Sequence, residues 1–240
     1  DKIKDSNLIL FCVKTYDTLS VASELKKVVT SKTVIITFQN GVNNDSLIKA
    51  IIPNAVVYPG VAYIISKKSA PGIISQTGGL CKMIFGDRSG QNPSILQAVN
   101  KLMLLANINS NLTNQINSEL WRKYIFIVPF AGMTAHAGMP IGQIRDSTDL
   151  FENYQSCLSE IIHIAQAEKI DLPIDIYDQT LTLIRNTAPD SKSSLLHDLE
   201  NGRPTELESI IGTALELSQK HGLVVPTIEM LYRSIKSKIS

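Results

Sequence analysis

The first half of the chain alternates short apolar runs with amphipathic stretches. Residues 8–13 form a continuous apolar run, which is typical of a strand buried on both faces of a parallel sheet. Residues 17–29 then place their apolar positions at helical spacing. A second buried strand is predicted at 33–38, and a helical pattern at 45–52 follows it and ends before Pro53. Two such β-then-α units in succession predict a doubly wound α/β sheet.

From residue 56 to residue 112 the predicted strands become shorter and turn signals separate them. The clearest turn signals are Ala70-Pro71-Gly72 and Thr77-Gly78-Gly79. We therefore predict a small, partly antiparallel extension of the same sheet. Its predicted elements are strands at 56–58, 73–75, 83–85 and 108–112 and a helix at 94–106.

After about Asn114 the strand signals stop and only helical patterns follow. Gly222 after His221 is typical of a helix C-cap, and Pro226 suits a first helical turn. The chain is therefore predicted to consist of a Rossmann-like α/β domain at 1–114 and an all-α domain at 115–240. The predicted helices of the second domain are 119–134, 150–169, 173–186, 204–221 and 226–235.

Composition narrows the class of protein without naming a function. The 240 residues are 44% hydrophobic and 19% charged with a net charge of +1, which describes a globular protein without a nucleic-acid footprint. The longest apolar run, 124–133, is too short to span a bilayer. Three distant cysteines and four histidines show no metal-ligand spacing, so we expect no metal and a reducing, cytoplasmic location.

Two candidate ligand-binding positions follow the first two predicted strands. Lys14 stands directly after the first strand, where a cofactor phosphate or a carboxylate lies in open α/β sheets. It is equally well explained as a solvated lysine before a helix capped by Asp17. Gln39-Asn40-Gly41 ends the second strand, and a side-chain amide there suits a carboxamide or a substrate oxygen. Simple Asn-Gly turn chemistry explains the same residues.

Three candidates lie in the predicted helical domain. Lys123 is expected to open its first helix and leads into an apolar stretch, where desolvation lowers an ammonium pKa and makes a proton donor. Snorkelling to solvent is the alternative. Glu206, in Gly202-Arg203-Pro204-Thr205-Glu206, is predicted in a first helical turn, where the helix dipole alone accounts for a glutamate. Ser194 by itself indicates a cap or a loop.

Taken together and in order, these pieces resemble the ketopantoate reductase (2-dehydropantoate 2-reductase) family. The resemblance covers essentially the whole chain. Any single segment has little specificity, but six in the right order are distinctive. The matching segments are 13–18, 39–41, 70–72 with 77–79, 119–123, 140–142 and 201–206.

The resemblance implies a partial dinucleotide-binding domain at 1–114 and a helical substrate and catalytic domain at 115–240. It implies NADPH as cofactor and a small-molecule 2-oxo acid as substrate, reduced to the 2-hydroxy acid as in pantothenate biosynthesis. No nucleic acid or membrane partner is expected, and a homodimer is possible.

The resemblance also assigns roles to particular residues. Lys123 would protonate the carbonyl oxygen and bind substrate, and Glu206 would hold that lysine and the cofactor. Lys14 and Asn40 would contact NADPH, and Ser194 and Asn40 the substrate. The chemistry is consistent with this, because hydride addition builds alkoxide charge that a nearby ammonium stabilises.

Two departures from the family pattern matter. Asparagines that hold substrate in the family are replaced here by Ile127, Ala131 and Ile141. A pocket so lined predicts a preference for a 2-oxo acid with an apolar side chain, because each unpaired polar group of pantoate costs about 1–3 kcal/mol.

The second departure is that no Gly-x-Gly-x-x-Gly phosphate-binding turn occurs in the sequence, which begins at about the fourth strand of the family's domain. We expect either a fragment of a longer protein or a truncated relative. Without that segment the 240 residues should bind NADPH weakly and associate through an open strand edge.

The leading hypothesis is therefore an NADPH-dependent 2-oxo-acid reductase with Lys123 as proton donor. A non-catalytic truncated relative that serves as a binding or oligomerisation module is the alternative. A member of the wider group of dehydrogenases with a helical second domain is a third hypothesis, which Gly202-Arg203-Pro204-Thr205-Glu206 disfavours.

Overall fold

The computed structural model describes residues 6–239, with only the backbone described at Lys67, Thr77 and Gly79. The chain folds as two compact units that meet in sequence between Leu120 and Trp121. This point lies six residues after the predicted domain boundary at Asn114.

The first unit is built on one five-stranded sheet in the order β1-β2-β3-β4-β5. β2 pairs in parallel with β1 and with the start of β3, β4 runs antiparallel to β3, and β5 is parallel to β4. The strands are β1 (Leu8–Phe11), β2 (Val34–Thr37), β3 (Val56–Ala70), β4 (Ile73–Phe85) and β5 (Ser110–Leu112).

Helices cover both faces of this sheet. Helices α1 (Thr18–Leu25) and α2 (Asn44–Ile51) pack on one face around Ile35, while α3 (Ser94–Leu105) packs on the other around Ile36. Consecutive β2 residues thus enter opposite cores, which is why Val34, Ile35 and Ile36 are all apolar. The predicted doubly wound α/β class is confirmed, and all-α structure follows it.

The middle of the sheet differs from the prediction. Instead of three short strands, β3 and β4 form one long hairpin that turns at Pro71 and Gly72. Gly72 has φ +77°, a conformation that favours glycine. The predicted turn at Thr77-Gly78-Gly79 is wrong, because these residues lie within β4. Register shifts in the β3–β4 ladder show that the glycines accompany irregular pairing rather than a chain reversal.

The second unit is all-helical, and its first helix starts in the first unit. Two short helices that the sequence did not predict, α5 and α8, lie between the long ones. Among residues 6–239, no helix combines the length and the apolar character needed to cross a membrane. The helices are α4 (Ile116–Ala137), α5 (Ile141–Asp146), α6 (Thr148–Ala167), α7 (Ile176–Asn186), α8 (Ser194–Glu200), α9 (Thr213–Lys220) and α10 (Pro226–Ile239).

Two predicted helix starts are also wrong. Lys123 does not open a helix, because α4 begins at Ile116 and places the lysine about two turns inside it. Glu206 does not lie in a first turn, since the helical residues begin at Leu207 and continue through a π-helical turn at Glu208–Gly212 into α9.

Candidate active site

In the first unit, Lys14 and Asn40 follow neighbouring parallel strands. Phe11 of β1 pairs with Thr37 of β2, so the carboxyl ends of these two parallel strands lie side by side. Lys14 is half-buried and extended, and its carbonyl accepts a 2.9 Å hydrogen bond from the Asp17 amide across a short 3₁₀ turn. Asn40 is half-buried too. The two polar side chains therefore stand where ligands of open α/β sheets bind.

Gln39 connects these two strand ends. Its buried amide nitrogen donates to the Val13 carbonyl at 3.0 Å and to the Thr18 hydroxyl at 2.7 Å, and its oxygen accepts from the Thr37 hydroxyl at 3.0 Å. The side-chain amide predicted to meet a ligand is thus used within the fold at Gln39. The adjacent Asn40 remains the candidate for that role. Gly41, with φ +113°, permits the sharp turn after it.

In the second unit, Lys123 lies on α4 and is half-buried. Burial lowers the pKa of its ammonium from 10.5 to about 8, and the opposing influence of the Glu206 carboxylate only partly offsets this. The cause is the one inferred from the sequence, since a cation removed from water loses hydration. The ammonium is consequently a stronger acid than an ordinary lysine.

Glu206 is buried, at 6% exposure, immediately before the helical residues begin. Its carbonyl accepts hydrogen bonds from the Ile210 amide at 3.0 Å and from the Ser209 hydroxyl at 3.1 Å. The backbone of Glu206 therefore starts the helix while its carboxylate acts on Lys123. This pairing is an electrostatic role that the helix dipole does not explain.

Tyr124 holds the two segments together. Its hydroxyl donates a 2.6 Å hydrogen bond to the Ile210 carbonyl, inside the π-helical turn that follows Glu206. The ring is fully buried and meets Trp121 edge-on at 5.5 Å between centroids. Burial raises the pKa of this phenol, so it stays a neutral donor. The residue next to Lys123 thus fixes the chain that carries Glu206.

Further along α4, Thr134 meets the loop before α8. Its buried hydroxyl lies 2.7 Å from the Phe130 carbonyl and 2.7 Å from the Ser193 hydroxyl. Ser193 is also the N-cap of α8, because its oxygen accepts the Leu196 amide at 3.1 Å. Ser194, the sequence candidate, is the exposed first residue of that helix.

The residues that replace the family's asparagines differ in exposure. Ile127 is half-buried, whereas Ala131 and Ile141 are buried. Gly142 has a packing role: a Cβ there would lie 2.7 Å from the carbonyl oxygen of Pro189, to which the Gly142 amide donates at 2.8 Å. The Pro140-Ile141-Gly142 segment thus anchors α5 to the chain before α8.

Two models of one protein family match most of this chain. The family model "Ketopantoate reductase PanE/ApbA C terminal" matches residues 115–238, and "Ketopantoate reductase PanE/ApbA" matches residues 1–90. The chain belongs to the ketopantoate reductase family. Both the strand-end candidates and the helical candidates lie in the matched ranges.

Individual members of the family are distant from this chain. An uncharacterized oxidoreductase, YkpB, of Bacillus subtilis is 24% identical over 96% of this chain and 76% of its own length. A 2-dehydropantoate 2-reductase of Halobacterium salinarum is 25% identical over 95% and 75%. A crystal structure of a ketopantoate reductase from Ralstonia eutropha has a TM-score of 0.90 at 21% identity, covering 99% of this chain and 77% of the other.

Within this ketopantoate reductase fold the structure brings some candidates together. Lys123 interacts electrostatically with Glu206 in the second unit, and Lys14 and Asn40 share a sheet edge in the first. Sequence reasoning did not name Tyr124 and Thr134 as positioning residues, and it named Gln39 only as part of the strand-end segment. The bonds that join Gln39 to Val13 and Thr18, Tyr124 to Ile210 and Thr134 to Ser193 each span 21 residues or more, so no local pattern indicates them.

Proposed function

We propose that this protein reduces a 2-oxo acid to the 2-hydroxy acid with NADPH, and that Lys123 is the proton donor. The observation that carries the proposal is the lysine itself. It is half-buried on α4, its pKa is lowered to about 8, and a buried glutamate acts on it. Membership of the ketopantoate reductase family supports a reductase, and relatives described as 2-dehydropantoate 2-reductases support a 2-oxo acid substrate.

The lowered pKa suits this task. When a hydride adds to a carbonyl carbon, negative charge builds on the oxygen and a proton must arrive there. An acid with a pKa near 8 is mostly protonated at neutral pH, yet releases its proton more readily than a lysine at 10.5. Before transfer, the same ammonium stabilises the developing alkoxide. Glu206 opposes loss of the charge and keeps enough lysine protonated.

The residues at the strand ends fit a nicotinamide dinucleotide. Lys14 offers a cation for a phosphate, and Asn40 offers an amide that both donates and accepts. When bound, this cofactor supplies the hydride. NADPH in preference to NADH is part of the proposal. We assign Lys14 and Asn40 to binding the dinucleotide, with Glu206 as a further contact.

For the substrate, we assign Lys123 and Asn40 to the 2-oxo acid group and Ser194, at the start of α8, to a further polar contact. The positions of Ile127 and Ala131, four and eight residues after Lys123, support an apolar side chain on the acid. Ile127 and Ala131 lie on the same face of α4 as Lys123. Neither can replace the hydrogen bonds of an asparagine.

The test is a steady-state assay of the natural protein at its full length with NADPH or NADH and a panel of 2-oxo acids. Lys123→Ala should lower kcat by about 10²–10⁴-fold, the usual contribution of general acid catalysis. NADPH affinity should barely change. The matched control is Arg122→Ala, which removes an exposed neighbouring cation that bonds Gln179 at 3.1 Å.

Near-normal turnover by Lys123→Ala would remove the lysine from the mechanism. Equal losses in Lys123→Ala and Arg122→Ala would indicate a general effect on the helix. Tighter binding and faster use of NADH would correct the cofactor, and a wide preference for ketopantoate over acids with apolar side chains would correct the substrate.

One observation favours a second candidate, a module that associates with a copy of itself. Among the described residues, β1 pairs with β2 alone and so lies at an edge of the sheet. An edge strand offers backbone donors and acceptors to another chain. Light scattering should then show a homodimer. Asn7→Pro, directly before β1, should weaken this association. A monomer in both cases would end this candidate.

A further inference from the structure

Between Tyr124 and Ala135, helix α4 is open on one side only. From Tyr124 to Ala135 every residue is buried except Phe126, Ile127 and Phe130, which are half-buried. These three lie three, four and seven residues after Lys123. With 3.6 residues per turn, such spacings place them on the same face as the lysine. The accessible part of this helix is therefore the face that starts with Lys123.

Most of that face is aromatic. The rings of Phe126 and Phe130 stack with centroids 5.4 Å apart and planes 25° from parallel. Helical side chains lean toward the N-terminus of their helix, so each ring extends toward the turn that precedes it. Along the axis the two residues lie about 4.5 and about 10.5 Å beyond Lys123. A continuous aromatic surface consequently begins about one helical turn beyond Lys123.

Polar groups do not interrupt this surface. The next residue on the face is Thr134, and its hydroxyl is engaged by the Phe130 carbonyl and the Ser193 hydroxyl. Ile127 is the remaining half-buried residue beside the rings. A substrate whose carbonyl lies at Lys123 would therefore place its side chain against two phenyl rings and an isoleucine.

We propose that Phe126 and Phe130 bind the side chain of the 2-oxo acid and select an aromatic substituent. This inference rests on the proposed function and narrows it. Flat rings that already stack offer an offset or edge-to-face contact to a third ring, which an aliphatic chain of similar size does not gain. The preferred class is then an aryl 2-oxo acid, with the ring near the carbonyl.

The experiment compares phenylglyoxylate, 2-oxoisovalerate and ketopantoate as substrates of the full-length natural protein. The variants are Phe126→Leu and Phe130→Leu, which keep an apolar side chain, and Phe130→Tyr, which keeps the ring. The matched control is Phe151→Leu on α6, because Phe151 is also half-buried and stacks on Tyr154 at 5.9 Å. Quenching of the fluorescence of Trp121, the single tryptophan of residues 1–240, gives the dissociation constant of phenylglyoxylate separately from turnover, with a Trp121→Phe variant to identify its signal.

Wild-type kcat/KM should favour phenylglyoxylate over 2-oxoisovalerate by about tenfold or more, the usual size of discrimination in an apolar pocket. Each leucine variant should lose most of that ratio and bind phenylglyoxylate more weakly. Phe130→Tyr and Phe151→Leu should retain it.

Three results would overturn the inference. A wild-type preference for an aliphatic acid would do so, and so would leucine variants that lower kcat/KM equally for all substrates, since the rings would then only support the fold. In both of these cases the enzyme still reduces aliphatic 2-oxo acids, so the proposed function would stand although the inference about the rings would fail. If no 2-oxo acid is reduced and phenylglyoxylate does not quench Trp121, the proposed function and this inference both fail.

Discussion

The two units fix their candidate residues by different means. In the first unit, Lys14 and Asn40 stand on turns at the ends of adjacent strands, and the Gln39 amide joins those turns through hydrogen bonds. In the second, Lys123 lies within a long packed helix, and the chain that carries Glu206 is held by Tyr124. The strand-end residues are thus placed by two turns that one side-chain amide joins, and the helical residues by a hydrogen bond between segments 86 residues apart.

Each unit also contains a pair of chemically similar side chains, one of which bonds within the fold while the other is a candidate site residue. Gln39 and Asn40 are adjacent amides, and Glu160 and Glu206 are both buried glutamates. The Gln39 amide and the Glu160 carboxylate form hydrogen bonds within their own units, whereas Asn40 is proposed to bind a ligand and Glu206 to act on Lys123. Substitutions at these pairs test whether the division is real.

The largest effect is expected at Glu206. Its carboxylate raises the pKa of Lys123 against the effect of burial, so Glu206→Gln should let that pKa fall below about 8. A general acid works only while protonated. The rate should therefore decline with rising pH in the wild type near pH 8, and at lower pH in the variant. Each pKa unit lost costs roughly tenfold in protonated lysine above the pKa.

The measurement is the pH dependence of kcat/KM for wild type, Glu206→Gln and Glu206→Asp. The aspartate variant keeps the charge and should stay closer to the wild-type profile. An unchanged alkaline limb in Glu206→Gln would separate Glu206 from Lys123.

The next effect concerns the adjacent amides. Gln39→Leu removes the partners of the Val13 carbonyl and the Thr18 and Thr37 hydroxyls, and should lower the free energy of unfolding by about 2–3 kcal/mol. Asn40→Ala should instead raise KM for the dinucleotide, and it should lower the free energy of unfolding less than Gln39→Leu does. Urea unfolding and cofactor titration of both variants distinguish these outcomes. A reversal, with Asn40→Ala the unstable protein, would exchange the two roles.

The smallest effect is expected at Glu160. Its carboxylate oxygens accept the amides of Thr227 and Ile228, each at 2.8 Å, and so cap the start of α10 from another helix. Glu160→Gln should cost about 1–2 kcal/mol of stability, because a neutral amide offers only one acceptor atom and no charge to the helix N-terminus. Turnover by the folded variant should be unchanged. A selective loss of activity would place Glu160 with Glu206 instead.

Sequence patterns found most of the sheet and the long helices because those elements are locally encoded. Val34, Ile35 and Ile36 enter the two cores in alternation and are all apolar, so β2 was predictable. Lys123 could be selected because an apolar stretch follows it directly. Each candidate residue alone also had a structural explanation. The family resemblance selected among these explanations because six segments occur in the family's order.

The errors share a physical cause, which is dependence on remote partners. Helix α5 is only six residues long, and its first amides, those of Ile141 and Gly142, bond the carbonyls of Ser191 and Pro189. Nothing near it in sequence shows that support. Gly78 reads as a turn but lies opposite Ile65 in the long hairpin. The start of the helix after Glu206 was misplaced because its first residues form a π turn.

That π-helical turn, Glu208–Gly212, amounts to one residue more than an α-helix of the same length needs. Deleting a single residue from it would restore ordinary winding and rotate everything before it by about 100° around the helix axis. Glu206 would then point away from Lys123 although neither residue had changed. The direction in which Glu206 points therefore depends on the number of residues in this turn, and a one-residue deletion there should separate Glu206 from Lys123 without altering either residue.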